Sequence, residues 1–196
     1  MAYNPDIHHR HSIRLKEYDY SQSGLYFITI CVKNNACLFG KITDGKICLS
    51  AIGAIADVLW HEIKNHAKNV ELHEFVVMPN HIHGIIEITT DDGVGATVGA
   101  GHALPLQPQP QIADVRATHA LPQSRFQNQG KNTISSIVGS YKSAVSKHAH
   151  RLGFAEFAWQ CNYWENIIRS SNDYTRIAQY IINNPINWNE DKFYIS

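Results

Sequence analysis

Two strand-like runs, residues 70–78 and 83–89, meet at a Pro79-Asn80 break, and this pairing constrains the fold more than any other stretch. Proline lacks the ladder N–H and asparagine tolerates turn geometry, so the pattern reads as an antiparallel hairpin. Side chains alternate across a strand, which puts His81 and His83 on one face and Ile82 on the other. Two imidazoles so placed lie within reach of one ion and form half of a metal site. The bland alternative is a surface pair in a turn, and among twelve histidines the same spacing recurs at His9 and His11 and at His148 and His150. What distinguishes the pair is its apolar setting, with Phe75 to Met78 before it and Ile85, Ile86 and Ile88 after.

A second segment, residues 172–185, carries Tyr174, Ile177, Ala178 and Ile181 at helical spacing. Ser171 or Asn172 can cap its start and Pro185 ends it. Tyr180 and Asn184 are four residues apart, so hydroxyl and amide emerge about one turn from each other on one face. Taken alone, a half-buried helix aromatic and a C-terminal cap are the better account of such a pair.

The rest of the chain alternates in the same coarse way. Residues 25–32 form a strand, a turn follows at Asn34-Asn35, and residues 46–49 form a short strand after Asp44-Gly45. Ser50 then caps a helix whose stripe is Ile52, Ile55, Ala56, Leu59 and Ile63, and residues 132–152 make a longer helix with Ile134, Ile137, Val138, Tyr141, Val145 and Leu152 on one side. One-sided helices and hairpin-joined strands imply an α+β two-layer sandwich in one domain, 1–196. Residues 93–130 differ: four Pro, five Gly, six Gln and only three charged residues suit a flexible, low-complexity insert, in which His-Ala-Leu-Pro occurs at 102–105 and again at 119–122.

No run approaches the roughly 20 apolar residues that cross a bilayer, and four cysteines without C-x-x-C spacing fit reduced thiols, so a cytoplasmic, nucleoid-associated protein is expected. Seventeen basic against seventeen acidic residues argue against indiscriminate phosphate binding. Locally the balance shifts. Residues 1–20 form a basic arm with Arg10, Arg14 and Lys16, and residues 131–152 hold four Lys or Arg, Lys142 and Lys147 among them, and no acid.

In order along the chain, the blocks Tyr26-Phe27-Ile28-Thr29-Ile30-Cys31, Leu38-Phe39-Gly40, Val77-Met78-Pro79-Asn80-His81-Ile82-His83-Gly84, Ser140-Tyr141-Lys142-Ser143-Ala144-Val145, Trp159-Gln160, Tyr163-Trp164-Glu165-Asn166-Ile167-Ile168-Arg169 and Tyr180-Ile181-Ile182-Asn183-Asn184-Pro185 resemble the single-tyrosine HUH transposases, specifically the REP-associated tyrosine transposases. The resemblance implies a ferredoxin-like antiparallel sheet, Tyr180 as nucleophile, and His81 and His83 as ligands of Mg²⁺ or Mn²⁺. In such enzymes the residue four beyond the tyrosine is often Gln; here Asn184 keeps the amide oxygen with a shorter reach, and Glu165 or a water could complete the sphere.

The implied reaction is cleavage and rejoining of single-stranded or hairpin DNA, such as REP-like palindromes, through a 5′-phosphotyrosine. Tyr163, Trp164 and Trp188 are candidate base platforms, with Arg169 beside them, and the aromatic stretch 153–171 favours a monomer acting in cis, a homodimer being the alternative. Two other readings stand beside this one. A non-catalytic nucleic-acid-binding module would not need Tyr180, and a metal-dependent phosphodiesterase would use water in its place.

Overall fold

The computed structural model describes residues 22–89 and 133–194; the basic arm 1–20 and the insert 93–130 lie outside them. The described elements are β1 (Gly24–Cys31), β2 (Gly40–Thr43), β3 (Lys46–Leu49), α1 (Ala51–His61), α2 (Ile63–His66), β4 (Val70–Val77), β5 (His81–Ile88), α3 (Ile134–Arg151), β6 (Trp164–Ile168) and α4 (Ser171–Asn183). A 3₁₀ turn over Trp188–Glu190 follows α4. Four strands form one antiparallel sheet in the order β4-β5-β1-β6, and β2 and β3 pair separately across a two-residue Asp44-Gly45 turn in which both residues have positive φ. With that small hairpin set aside, the order β-α-β-β-α-β and the sheet order are those of a ferredoxin-like core, as the family resemblance implies.

Strand alternation decides what each face buries. Tyr26, Ile28, Ile30, Ile82, Ile86 and Ile88 point toward α1 and α3, where they meet Ile52, Trp60, Ile137 and Tyr141 in the main core. Each fully buried aliphatic or aromatic side chain there contributes roughly 1.5–3 kcal/mol by leaving water. The Tyr141 hydroxyl donates to Ala56 O at 2.8 Å and ties α3 to α1. Gly84 makes room for this packing, because a Cβ at that position would collide with the Trp60 indole, which stacks on Phe75 at 4.6 Å between centroids.

The opposite face holds Leu25, Ile85 and Ile168 against Ile177, Ala178 and Ile181 of α4. The sandwich of α1 and α3 on the sheet therefore gains a further layer over β4 and β5. Thr133 caps α3 by accepting from Ser136 N, so the helix begins two residues after the expected start. The cap of α4 is Ser170, one residue ahead of the expected pair, because its hydroxyl reaches both Asp173 N at 3.1 Å and the Asp173 carboxylate at 2.8 Å. No helix among the described residues is long and apolar enough to cross a membrane.

Candidate active site

β5 is buried along its whole length, and its first and third residues, His81 and His83, face the α4 side. Their ring centroids are 4.5 Å apart. Each ring is held through Nδ1. His81 Nδ1 lies 2.8 Å from Asn80 Oδ1, and Asn80 Nδ2 donates to Phe193 O at 2.7 Å, which fixes the amide with its oxygen toward the imidazole. That oxygen can only accept, so Nδ1 carries the proton and the Nε2 lone pair is aimed into the site. His83 Nδ1 is 2.8 Å from Thr29 Oγ1 on the neighbouring strand β1.

The tyrosine of α4 reaches the same point. The Tyr180 hydroxyl is 3.2 Å from His83 Nε2 of its own chain and donates to Asp191 Oδ2 at 3.2 Å, while Phe27 braces its ring edge-on. Asp191, just past the 3₁₀ turn, also accepts from Asn184 Nδ2 at 2.9 Å and from Phe193 N at 2.7 Å. Phe193 covers the His81 ring at 4.6 Å. The sequence reading missed Asp191; the only local signal is an acidic residue in the polar stretch that follows the helix.

Electrostatics match a cation site. Burial holds His81 down at about 4 despite the upward pull of the Asp191 carboxylate, and burial plus the neighbouring His81 holds His83 well below its ordinary value. Both imidazoles are thus neutral near pH 7, the form that binds metal. Burial, reinforced by the Asp191 carboxylate, pushes the Tyr180 phenol up to about 12. Two buried acceptors, His81 Nε2 and Asn184 Oδ1, have no hydrogen-bond partner. A buried polar atom without a partner costs on the order of 1–3 kcal/mol, so two in one cluster mark a place built for something else to bind. His81, His83 and Asp191 bring one ligand atom each within 4.8 Å of one another and could hold a metal ion. This mixed nitrogen and oxygen set fits Mg²⁺ or Mn²⁺ and also admits Zn²⁺.

The remaining expected residues divide. Glu165 pairs with Ile28 and therefore points to the α1 and α3 face, across the sheet from the histidines, so it cannot complete their coordination sphere. Tyr163 is no open platform either: its ring packs against the main core and its hydroxyl meets Ser135 Oγ at 3.3 Å. Trp188 is buried with its ring 6.0 Å from that of His81. Lys142 is half-buried in α3 and donates to Gln160 O at 2.7 Å, a structural tie whose burial lowers its pKa. Lys147 is exposed on the same helix, in the layer opposite the histidine pair. Trp164 and Arg169 are exposed, Trp164 in register with Thr29 and so on the histidine face. Arg10, Arg14 and Lys16 fall outside the described residues.

A ferredoxin-like sheet with a His-hydrophobic-His strand facing a helix-borne tyrosine defines the class of protein. No family model matches the chain. It is 43% identical over 193 residues to an uncharacterized protein of Haemophilus influenzae, spanning 98% of this chain and 97% of the relative. The two belong to one family. Among solved structures the fold is similar to that of a REP-associated tyrosine transposase bound to a REP hairpin, with a TM-score of 0.54 and 19% identity over 93% of this chain and 77% of that one.

Proposed function

We propose that this protein is a metal-dependent single-strand DNA endonuclease and strand transferase of the transposase class, using Tyr180 as nucleophile. The observation that carries the reading is the meeting of the Tyr180 hydroxyl with His83 Nε2 and Asp191 Oδ2, each 3.2 Å away, beside the partnerless Nε2 of His81. A fold shared with the hairpin-bound transposase supports it.

His81, His83 and Asp191 would hold the divalent ion, Mg²⁺ or Mn²⁺, with Asn184 orienting Asp191 through Nδ2 and offering its own oxygen as a further donor. When bound, the ion supplies charge neutralisation at the scissile phosphate and offsets the Asp191 charge that raises the phenol. The Tyr180 oxygen forms a bond to phosphorus as the bond from phosphorus to the 3′ oxygen breaks. Its proton passes to Asp191 Oδ2, which already accepts from the hydroxyl, since His83 Nε2 is committed to the ion, and the departing 3′ oxygen takes a proton from solvent. The products are a 5′-phosphotyrosine and a free 3′-hydroxyl, and attack by another 3′-hydroxyl rejoins strands with the phosphodiester conserved. The contact of Tyr180 with His83 of its own chain supports action in cis, for which a monomer suffices. Its substrate is single-stranded or hairpin DNA, with REP-like palindromes as the first to try.

The test is covalent capture. Incubation with labelled hairpin oligonucleotides and Mn²⁺, followed by a denaturing gel, should show a protein–DNA band that chelator abolishes. Strand cleavage without an adduct would point to water as the nucleophile and overturn the reading.

A further inference from the structure

The sheet face that carries the histidines is only half roofed. α4 lies over β4 and β5, whereas the β6 side shows Trp164 and Asn166 to solvent. Thr29 pairs with both His83 and Trp164, so the three residues form one row across β5, β1 and β6, and their side chains share a face. At about 4.8 Å per strand spacing, Trp164 stands roughly 10 Å from His83 along that row. Thr29 lies between them, and Phe27, the next residue of β1 on that face, continues the surface to the tyrosine: its ring meets the His83 ring at 5.2 Å and the Tyr180 ring at 6.2 Å.

Among the described residues, Trp164 belongs to neither hydrophobic core cluster. Of the four tryptophans, Trp60 and Trp188 are buried at 0% and 7% exposure and Trp159 packs against the core, while Trp164 is 54% exposed. Desolvating so large a ring is favourable, and one left open beside a polar site suits a flat partner that covers it in the bound state.

We infer that Trp164 is a nucleobase-stacking subsite, which receives an unpaired base of the DNA strand a short distance from the phosphate held at Tyr180. The inference rests on the proposed DNA-cleaving function and specifies how the strand is seated. A planar ring accepts any base by its face, so this subsite fixes the path of a single strand without reading its sequence, and it excludes a paired base, whose faces are already stacked. The neighbouring Asn166 side chain, in register with Phe27 on the same face, is placed to meet the edge of the stacked base.

The experiment pairs protein and DNA changes. Full-length protein carrying Tyr180→Phe, in chelator so that no cleavage occurs, is titrated by anisotropy with hairpin oligonucleotides whose single-stranded tails carry one abasic position at a time. An abasic nucleotide at one or two tail positions should weaken binding roughly 5- to 100-fold. The same loss should follow Trp164→Ala with an intact tail, and the two together should be no worse than either, while Trp164→Phe stays close to the parent. An abasic penalty undiminished in Trp164→Ala would overturn the subsite and leave the cleavage reading standing. Tryptophan emission that shifts to the blue with protein concentration alone would instead put Trp164 in an interface between copies, and would also overturn it. If no oligonucleotide binds and no adduct forms, the functional reading falls first and takes the subsite with it.

Discussion

Helix α4 presents two tyrosines in chemically similar company, and only one of them faces an open site. The Tyr174 hydroxyl donates to Glu74 Oε2 at 2.8 Å and lies 3.2 Å from His73 Nδ1; the Tyr180 hydroxyl meets Asp191 and His83. Both phenols are pushed up to about 12, mainly by burial. They differ in how the donors and acceptors are arranged. His73 uses both nitrogens within the protein, the second at 2.9 Å from Glu87 Oε2, so the groups form a chain in which each consumes the next. At Tyr180 the groups converge, and His81 Nε2 and Asn184 Oδ1 are left over on one side. A leftover acceptor also occurs at Glu87 Oε1, yet among the described residues only His81, His83 and Asp191 bring three ligand atoms together. Convergence, more than residue type, separates a metal centre from a structural network.

The sharpest way to break this contrast is to remove each hydroxyl in turn. Tyr180→Phe should abolish the covalent adduct and lower strand cleavage on the order of 10³-fold or more, as expected for a nucleophile. Tyr174→Phe should leave the adduct intact. An adduct that persists in the first variant and vanishes in the second would reverse the assignment, and a denaturing gel reads both.

Metal affinity gives the next largest effect. His81→Ala and Asp191→Asn should each weaken Mn²⁺ binding at least tenfold, and Asn80→Ala, which frees the His81 ring to rotate and removes the bond to Phe193 O, should cost about 10- to 100-fold. His73→Ala should leave the Mn²⁺ isotherm unchanged. Calorimetry on the four proteins decides, and a His73 variant as impaired as the others would mean that the two clusters are not distinct.

How much of this is legible in the chain follows from range. The hairpin, its paired histidines and the α4 stripe are local patterns, and each appears where alternation or helical spacing puts it. Helical spacing likewise puts Tyr180 and Asn184 on one face, but their roles in the site enter only through the family resemblance. Asp191 is not legible, because it belongs to no periodic element and acquires meaning only when the turn at Trp188–Glu190 carries it back over β5. Thr29 reads only as a strand residue until the register places it opposite His83. Glu165, offered beside a water as a way to complete the sphere, is removed by parity: only the pairing to Ile28 says which face it takes.

Acid should separate the clusters by stability. Unfolded histidine titrates near 6.5, whereas His81 stays neutral in the fold down to about 4. Between these values the unfolded chain binds a proton that the folded one does not, so stability is complete above pH 6.5 and declines as pH falls toward 4. The loss from His81 amounts to roughly 3 kcal/mol over that window in chelator. Urea midpoints measured across the range should show it, with a shallower slope for His81→Gln. A midpoint flat from pH 7 to 4 would contradict a buried, neutral imidazole.

The smallest effect belongs to the closed network. Tyr174→Phe deletes one hydroxyl that donates to Glu74, a partly buried carboxylate, and a bond to a charged group in such a setting is worth about 1–2 kcal/mol net. Since Tyr174 lies in the first turn of α4 and Tyr180 in a later one, the loss should loosen the attachment of the helix to β4 without moving the far end. The expected result is a modest drop in urea midpoint, about the same for Glu74→Leu, which removes the acceptor, and no further drop when the two changes are combined, because either one breaks the same bond. If the two changes add in full, the hydroxyl and carboxylate are not coupled. The Tyr174 cluster would then be a set of separate surface contacts, and the contrast with Tyr180 would rest on the metal ligands alone.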